Sequence, residues 1–235
     1  NMYSIPYSGN PLEALFITTS KTLTAKILRE HNLSTPLTYA PSQLNLLKHG
    51  RKYIVKPVWE DGSLGITADS VFTFSPDQEE RLKGLDDSHW IIQDYIEGRE
   101  FNISVIASSS GPEVMPAAEM VFHNFAPDMP RIVDFKAKWI EDSFEYENTV
   151  RDFPADKLNP VLIKRINELA LNCWDVFGLK GYARVDMRID AYENPYVIEV
   201  NANPCLSPDS GLMAATRKAG IPVTEILTRI IEDLN

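Results

Sequence analysis

Residues 182–201 read YARVDMRIDAYENPYVIEVN, a pattern that predicts two antiparallel strands joined by a turn rich in Asn, Asp and Pro. Side chains alternate between the two faces of a strand, so Arg184, Asp186 and Arg188 fall together on one face of the first strand. The residues between them are apolar and define the opposite face. We therefore expect a hairpin that packs on a core with one side and carries charged groups on the other.

The second strand of this hairpin adds oxygen-bearing side chains to the charged face. The same alternation predicts that Val197, Glu199 and Asn201 point together. Magnesium prefers oxygen ligands and commonly uses a few carboxylates together with substrate phosphates, so Asp186, Glu199 and Asn201 are candidate metal ligands. Arg184 beside them can stabilise charge on a transferring phosphoryl group. A half-exposed hairpin with a solvated polar face is the alternative interpretation of the same pattern.

The segment after the hairpin, residues 201–211, reads NANPCLSPDSG and has no regular periodicity although it connects two strong elements. Such a loop is more often a site than a spacer. The order Arg-x-Asp, followed by Glu-x-Asn-x-x-Pro, resembles the C-terminal half of an ATP-grasp domain. More closely, the region resembles the D-alanine–D-alanine ligase group.

A candidate phosphate-binding segment lies earlier in the chain, where residues 53–65 read YIVKPVWEDGSLG. It resembles the strand and small-residue loop that cover ATP in ATP-grasp proteins. Lys56 at the strand end can reach a phosphate as a point charge. Gly62 and Ser63, followed by Gly65, allow backbone N–H groups to close over phosphate oxygens. Taken alone, a Lys-Pro pair before a glycine loop is more often a plain turn, and the chain contains no Walker motif.

The segment QDYIEGRE resembles the family's hinge, which holds adenine and ribose. The resemblance implies that Tyr95 and Ile96 supply apolar contacts, that Glu100 accepts the ribose hydroxyls, and that Asp94 faces the adenine amine. Lys21 on the first helix resembles the family's second phosphate-contacting lysine. Without the family, these residues would be interpreted as an ordinary strand–turn–strand and one solvated lysine.

The resemblance implies a two-step reaction that uses ATP and Mg²⁺, with Mn²⁺ as an alternative metal. ATP phosphorylates a carboxylate, and an amine then attacks the acyl-phosphate, so that ADP and phosphate are released. The family uses a main-chain N–H near Cys205 for the oxyanion. In residues 135–139, FKAKW, the resemblance assigns Lys138 to the carboxylate of the second substrate, and Ser210 helps it. An amino acid or peptide-like acceptor is expected.

Two departures from the D-alanine ligase pattern bear on the substrate. Trp139 stands where those enzymes carry a tyrosine, and Gly62 stands where their loop carries a serine. Neither side chain can accept a hydrogen bond in the same way. Three hypotheses follow: a carboxylate–amine ligase with amino-acid-like substrates, a true D-alanine–D-alanine ligase, and a nucleotide-binding module without turnover.

The expected fold class is α+β, an ATP-grasp fold in which two α+β subdomains clasp ATP. We expect an entry segment over residues 1–20, a small lid over 21–96 and a large subdomain over 97–235. The resemblance begins where the family's central region begins, so the N-terminal Rossmann-like domain is expected to be absent. The periodicity also predicts helices over about 20–31, 160–177 and 223–234, and strands over 37–40, 53–56, 90–93, 100–107 and 114–122.

Composition excludes several classes of partner. The 235 residues carry a net charge of −10, from 33 acidic and 23 basic side chains, which disfavours a nucleic-acid binder. No apolar run approaches the length of a membrane span. The two cysteines, Cys173 and Cys205, have no Cys-x-x-Cys spacing, so neither a disulfide scaffold nor a zinc site is expected. A cytoplasmic protein with small-molecule partners is expected, and the resemblance adds a homodimer as an expectation.

Overall fold

The computed structural model describes residues 5–154 and 157–234, in which two separate antiparallel sheets form. The smaller sheet has the order β1-β4-β2-β3 and is built from β1 (Thr38–Tyr39), β2 (Lys52–Pro57), β3 (Val71–Thr73) and β4 (Trp90–Asp94). The larger sheet has the order β10-β9-β5-β7-β8, with β6 paired to β5. Its strands are β5 (Arg99–Ile106), β6 (Glu113–Val114), β7 (Ala118–Phe122), β8 (Thr149–Asp152), β9 (Tyr182–Ile189) and β10 (Pro195–Asn201).

Eight α-helices occur among the described residues: α1 (Leu12–Thr19), α2 (Lys21–Glu30), α3 (Pro76–Leu82), α4 (Phe135–Trp139), α5 (Phe144–Glu147), α6 (Pro160–Val176), α7 (Gly211–Lys218) and α8 (Val223–Glu232). The predicted helices at α2, α6 and α8 are confirmed. The predicted strand over 114–122 is divided into β6 and β7, because β6 pairs with one end of β5 and β7 with the other. The elements that were not predicted are α1, α3, α4, α5, α7, β3 and β8.

The core of the larger sheet lies between its apolar face and α6. Asn159 caps this helix by accepting a hydrogen bond from the Val161 N–H at 3.0 Å, and Pro160 occupies the first turn. The buried face of α6, with Leu162 and Ile166, packs against the apolar face of β5 and β9. This arrangement fixes the charged face of β9 on the opposite side of the sheet.

The smaller sheet has its own hydrophobic cluster, which includes Tyr53, Phe72 and Ile92. The predicted lid also included residues 21–30, but α2 packs elsewhere. Its buried Leu28 belongs to the core of the larger sheet, together with Ala14 of α1. The strands of the smaller sheet lie between Thr38 and Asp94, and the larger sheet begins at Arg99.

A bulge in β10 corrects the predicted alternation of that strand. The register runs from Val197 opposite Met187 directly to Glu199 opposite Asp186, so Ile198 is the extra residue. As a result Val197 is buried in the core rather than sharing a face with Glu199. The bulge places Ile198 and Glu199 together on the charged face.

Across the described part of the chain, no helix is both long and apolar enough to cross a membrane.

Candidate active site

A cavity of about 530 Å³ lies between the two sheets. Eleven of the sequence-predicted site residues line it: Lys21, Lys56, Ser63, Asp94, Tyr95, Ile96, Glu100, Lys138, Arg184, Asp186 and Glu199. The lining does not include the other four, which are Gly62, Asn201, Cys205 and Ser210. The predicted residues thus converge on one cleft although they are spread over most of the chain.

Lys56 ends β2 and projects its ammonium into this cavity, where the side chain is buried. Burial and the neighbouring Lys21 lower the pKa of Lys56, Glu199 and Glu100 oppose them, and the net value is about 8. Within the described residues, no hydrogen bond or ion pair involves the Lys56 ammonium, whereas Lys21 donates to the carbonyl of Glu60. Lys56 is therefore a buried cation available to an anionic ligand.

The hinge is held by Arg188, whose role the sequence did not reveal. The Arg188 guanidinium donates to the carbonyls of Ile96 at 2.8 Å, Gly98 at 3.1 Å and Arg131 at 2.6 Å. It also forms a buried ion pair with Glu100 at 3.1 Å. Burial raises the pKa of Glu100, and Arg188 opposes that rise. The alternation of β9 predicted only that Arg188 lies on the charged face, and the sequence contains no further indication that it binds the hinge.

A glycine is required where the hinge crosses the larger sheet. Gly98 has φ +145°, and a Cβ there would lie 1.9 Å from the carbonyl oxygen of Ile189. No other residue fits this position without moving the backbone. The close approach brings the hinge against β9, where Arg188 can reach its carbonyls.

The predicted contact residue Asp94 and its neighbour Gln93 both line the cavity. One oxygen of the Asp94 carboxylate forms an ion pair with Arg51 at 2.7 Å, and the other is buried without a partner. Gln93 donates to the hydroxyl of Thr38 at 3.0 Å and also leaves its amide oxygen buried without a partner. Each of the two residues therefore has one oxygen that can accept a hydrogen bond from a ligand.

The charged face of β9 carries a compact ion-pair arrangement. Arg184 donates to both oxygens of Asp186, at 2.7 and 2.8 Å, and Asn102 donates to one of them at 2.9 Å. Burial lowers the pKa of Arg184, but the attraction of Asp186 exceeds that effect and the net shift is upward. Glu199 lies across the strand pair from Asp186, and no described residue forms a hydrogen bond or ion pair with its carboxylate.

The donor set fits a magnesium ion. Two carboxylates, Asp186 and Glu199, are adjacent across β9 and β10, and the amide of Asn201 follows on β10 opposite Arg184. Hard oxygen donors of this kind suit Mg²⁺. The amide oxygen of Asn201 accepts from the Asn203 N–H at 2.9 Å and lies outside the cavity lining, so it would have to turn to reach an ion shared with the two carboxylates. Arg184 and a divalent cation would compete for the Asp186 oxygens.

The loop over residues 61–65 is fixed to the larger subdomain by two contacts. The indole N–H of Trp139 donates to the carbonyl of Gly62 at 2.8 Å. Ser63, with the unfavourable φ of +63°, donates its hydroxyl to the carbonyl of Val133 at 2.6 Å. Trp139 and Gly62, the two departures noted in the sequence, therefore contact each other. With tryptophan in place of tyrosine and glycine in place of serine, a hydrogen bond from a side chain to the backbone closes the loop.

Lys138 lines the cavity from α4, and its charge acts on Asp61 and Glu100. The predicted residues Ser210 and Cys205 lie near the start of α7, outside the lining. Ser210 caps α7 by accepting from the Met213 N–H at 3.3 Å, and Cys205 is exposed, with its thiol donating to the Ser207 hydroxyl at 3.1 Å. That bond lowers the pKa of Cys205. Arg151 of the unpredicted strand β8 lines the cavity near the start of α7, and no pattern in the sequence indicated it.

Comparison with known proteins agrees with this architecture. The family model described as "D-ala D-ala ligase C-terminus" matches residues 46–232. A D-alanine–D-alanine ligase of Cupriavidus pinatubonensis is 25% identical over 232 residues, covering 97% of this chain and 67% of that protein. One from Pseudoalteromonas translucida is 27% identical and is covered over 71% of its length. The chain thus spans about two thirds of the length of these relatives.

Solved structures show the same fold. A D-alanine–D-alanine ligase of Bacillus anthracis gives a TM-score of 0.74 at 24% identity, covering 99% of this chain and 72% of that one. A structure of that ligase complexed with ATP gives 0.72. The VanG D-Ala:D-Ser ligase of Enterococcus faecalis gives 0.74 at 19% identity, covering 97% of this chain and 65% of that one.

Two sheets that enclose a cleft lined by lysines, carboxylates and a hinge define the ATP-grasp fold, which confirms the expected fold class. The family model covers well over half of the chain. The chain belongs to the D-alanine–D-alanine ligase C-terminal family, whose relatives are ATP-dependent ligases that form a C–N bond and release ADP and phosphate.

Proposed function

We propose that this chain binds ATP in the cleft and joins a carboxylate to an amine through an acyl-phosphate, with amino-acid-like substrates. The observation that carries this proposal is the placement of Glu199 beside the Asp186–Arg184 pair, on the same cavity as the buried, unpaired Lys56. Anionic and cationic groups face one space that is large enough for a nucleotide. A solvated polar hairpin would not bury them.

The hinge end of the cavity, defined as Lys56, residues 93–100 and Arg188, suits the nucleoside. The orphaned amide oxygen of Gln93 can accept a hydrogen bond from the adenine amine, and the ring of Tyr95 is already covered on one side by Arg188, 5.1 Å from the ring centroid. Glu100, oriented by Arg188, can accept the ribose hydroxyls. The hinge end thus offers both polar and apolar contacts to adenosine.

The phosphates would lie between Lys56 and Lys21 on one side and the β9–β10 hairpin on the other. Asp186, Glu199 and Asn201 would hold Mg²⁺, which would neutralise charge on the phosphate oxygens. Arg184 would then leave Asp186 and turn its guanidinium to the transferring phosphoryl group. The loop over residues 61–65, fixed by Trp139, would exclude water from this region.

The chemistry follows from positioning and charge neutralisation. A carboxylate oxygen of the first substrate attacks the terminal phosphorus and ADP leaves, giving an acyl-phosphate. The amine of the second substrate attacks that carbonyl carbon, and phosphate departs as the C–N bond forms. The backbone N–H near Cys205 would donate to the oxyanion, which requires no reactivity of the thiol itself.

The α7 end of the cavity, defined as Arg151 and Asp209 beside the start of α7, suits the acceptor. Lys138 would hold the acceptor's carboxylate, and Ser210 at the helix N-terminus would assist it. Because the relatives are named D-alanine–D-alanine ligases, D-alanine is the first acceptor to test. The bond from Trp139 to Gly62 supplies a closed loop without the tyrosine and serine of those enzymes.

Calorimetric titration with ATP, with and without Mg²⁺, tests the nucleotide part of the proposal. We expect magnesium-dependent binding that Glu199→Ala weakens by about tenfold or more, equivalent to about 1.4 kcal/mol. Glu113→Ala is the matched control, because this glutamate is on the same sheet but away from the cavity and pairs with Arg229. Phosphate release with D-alanine and other amino acids then tests turnover. Absence of ATP binding by the folded chain would contradict the proposal.

A further inference from the structure

Arg151 is a cation that the proposed reaction leaves unused. It lies on the edge strand β8, is half-buried and lines the cavity at the α7 end. Its Nε atom is buried and has no hydrogen-bond partner. In the described ranges, no carboxylate lies within ion-pair distance of its guanidinium. A buried N–H group without a hydrogen-bond partner is unfavourable unless a ligand supplies one.

The surroundings of Arg151 increase this demand for an anion. Burial lowers the pKa of Arg151, and the like charges of Arg184 and Arg217 lower it further. Asp209 opposes this effect, but it is exposed and forms no ion pair with Arg151. Gly211, the first residue of α7, lies beside the guanidinium, and a Cβ there would be 3.5 Å from an Arg151 nitrogen. The guanidinium is thus positioned at a helix N-terminus, which also favours anions.

The other cations of the cavity have assigned partners. Arg184 is paired with Asp186 and Arg188 with Glu100. Lys21 and Lys56 serve the phosphates in the proposed function, and Lys138 serves the acceptor's α-carboxylate. Arg151 remains at the α7 end as a positive charge without an assigned partner. A neutral amino acid such as alanine has no second carboxylate to pair with it.

We propose that the acceptor carries a second carboxylate and that Arg151 binds it. This inference rests on the proposed function, because it concerns the acceptor of that same reaction. An acidic amino acid presents its α-carboxylate to Lys138 and its side-chain carboxylate to Arg151. The planar guanidinium can bind a carboxylate through two parallel hydrogen bonds, which gives it selectivity over an amide of the same shape.

The test uses the full chain saturated with Mg²⁺ and a non-hydrolysable ATP analogue, titrated with glutamate and with glutamine, each as the D and the L form. We expect one form of glutamate to bind at least tenfold more tightly than the matching glutamine. Arg151→Gln should remove that preference while leaving glutamine affinity within threefold. Arg151→Lys keeps the charge and should retain part of the preference, which guards against a variant that fails to fold.

Arg217→Gln is the matched control, because this exposed arginine lies near Arg151 without lining the cavity. It should leave the preference for glutamate unchanged. Equal affinities for glutamate and glutamine would overturn the inference, and so would a preference that survives Arg151→Gln. A loss of affinity for the ATP analogue alone would also overturn it, because Arg151 would then serve the phosphates.

Failure of the proposed function is seen separately, in the absence of magnesium-dependent ATP binding or of phosphate release with any acceptor. In that case, titration of the nucleotide-free chain with glutamate still reports on Arg151. Binding of glutamate that Arg151→Gln removes would then support the carboxylate site, whereas no binding would overturn it.

Discussion

The two ends of the cavity differ in how far the protein satisfies its own charges. At the hinge end, Arg188 is 4% exposed and makes hydrogen bonds to three backbone carbonyls as well as to Glu100. Arg151 at the α7 end has no ion-pair partner among the described residues, and neither has Lys56 at the hinge end. The adenosine part of the hinge end, Arg188 with Glu100, is therefore compensated before any ligand arrives, whereas Lys56 and Arg151 remain for the charges of a ligand.

This difference has a physical reason. Adenosine brings mainly neutral groups, so the charges that shape its site must be compensated within the protein. An acceptor brings its own negative charge, so cations can be left for it at modest cost if they remain partly hydrated. We expect substitutions at the hinge end to lower stability, and substitutions at the α7 end to change substrate binding.

The largest expected effect is at the hinge end. Arg188→Met leaves Glu100 buried without a counter-charge and leaves three carbonyls without a donor, so we expect the free energy of unfolding to fall by about 3–5 kcal/mol. Arg99→Met is the matched control, since Arg99 is 43% exposed in its pair with Glu119 and should cost about 1 kcal/mol or less. Denaturant unfolding measures both variants.

A double variant separates the ion pair from the carbonyl contacts. Adding Glu100→Gln to Arg188→Met should recover part of the lost stability, because the uncompensated buried charge is gone. If Arg188→Met unfolds within 1 kcal/mol of the parent chain, the hinge end is not the preorganised part of the cavity and the comparison fails.

The sequence predicted much of the larger sheet but not its irregularities. Alternation placed Arg184, Asp186 and Arg188 on one face of β9, because β9 is a regular strand with an apolar core behind it. Alternation failed in β10, where the bulge at Ile198 turns Val197 into the core, since a bulge is set by pairing with the neighbouring strand. Sequence alone carries no comparable signal for a bulge.

Two site residues were missed for related reasons. Gln93 was not predicted beside Asp94, because the hinge motif does not show that both neighbours line the cleft. Arg151 lies on a four-residue edge strand that is too short for a periodic pattern. Its position depends on pairing with β7, which is a tertiary contact.

A smaller effect is expected at the loop that covers the cleft. Trp139→Phe keeps the ring against Gly62 but removes the N–H donor, so the loop should lose about 0.5–1.5 kcal/mol of closure energy. We expect roughly a twofold to tenfold loss in kcat/KM for ATP-dependent phosphate release. Hydrogen exchange at the loop amides should become faster by a similar factor.

Trp59→Phe controls for the loss of an exposed indole, because the Trp59 ring packs against Phe16 and its N–H donates no hydrogen bond to the described residues. It should leave both measurements unchanged. Equal effects of the two substitutions would mean that the bond from Trp139 to Gly62 does not hold the loop closed.

The smallest expected effect is the uptake of a proton by Lys56 when ATP binds. With a pKa of about 8, Lys56 is half protonated at pH 8 in the free protein. Its surroundings include Lys21 and Arg188, which disfavour the charged form, and Glu199 and Glu100, which favour it. Binding of a triphosphate adds negative charge and raises the pKa of Lys56. We therefore expect Lys56 to take up about half a proton when ATP binds at pH 8, and almost none at pH 6.5.

Calorimetry in buffers of different ionisation enthalpy measures this uptake, and Lys56→Met should abolish it. The same shift has a consequence for stability. Because the unfolded chain binds the Lys56 proton more tightly than the folded chain, the contribution of this group to the free energy of unfolding rises with pH between about 8 and 10.5. An uptake that persists in Lys56→Met, or one that is larger at pH 6.5, would show that Lys56 is not the cation held ready for the phosphates. The hinge end would then offer no unpaired positive charge to the phosphates of ATP, and it would not favour ATP over adenosine.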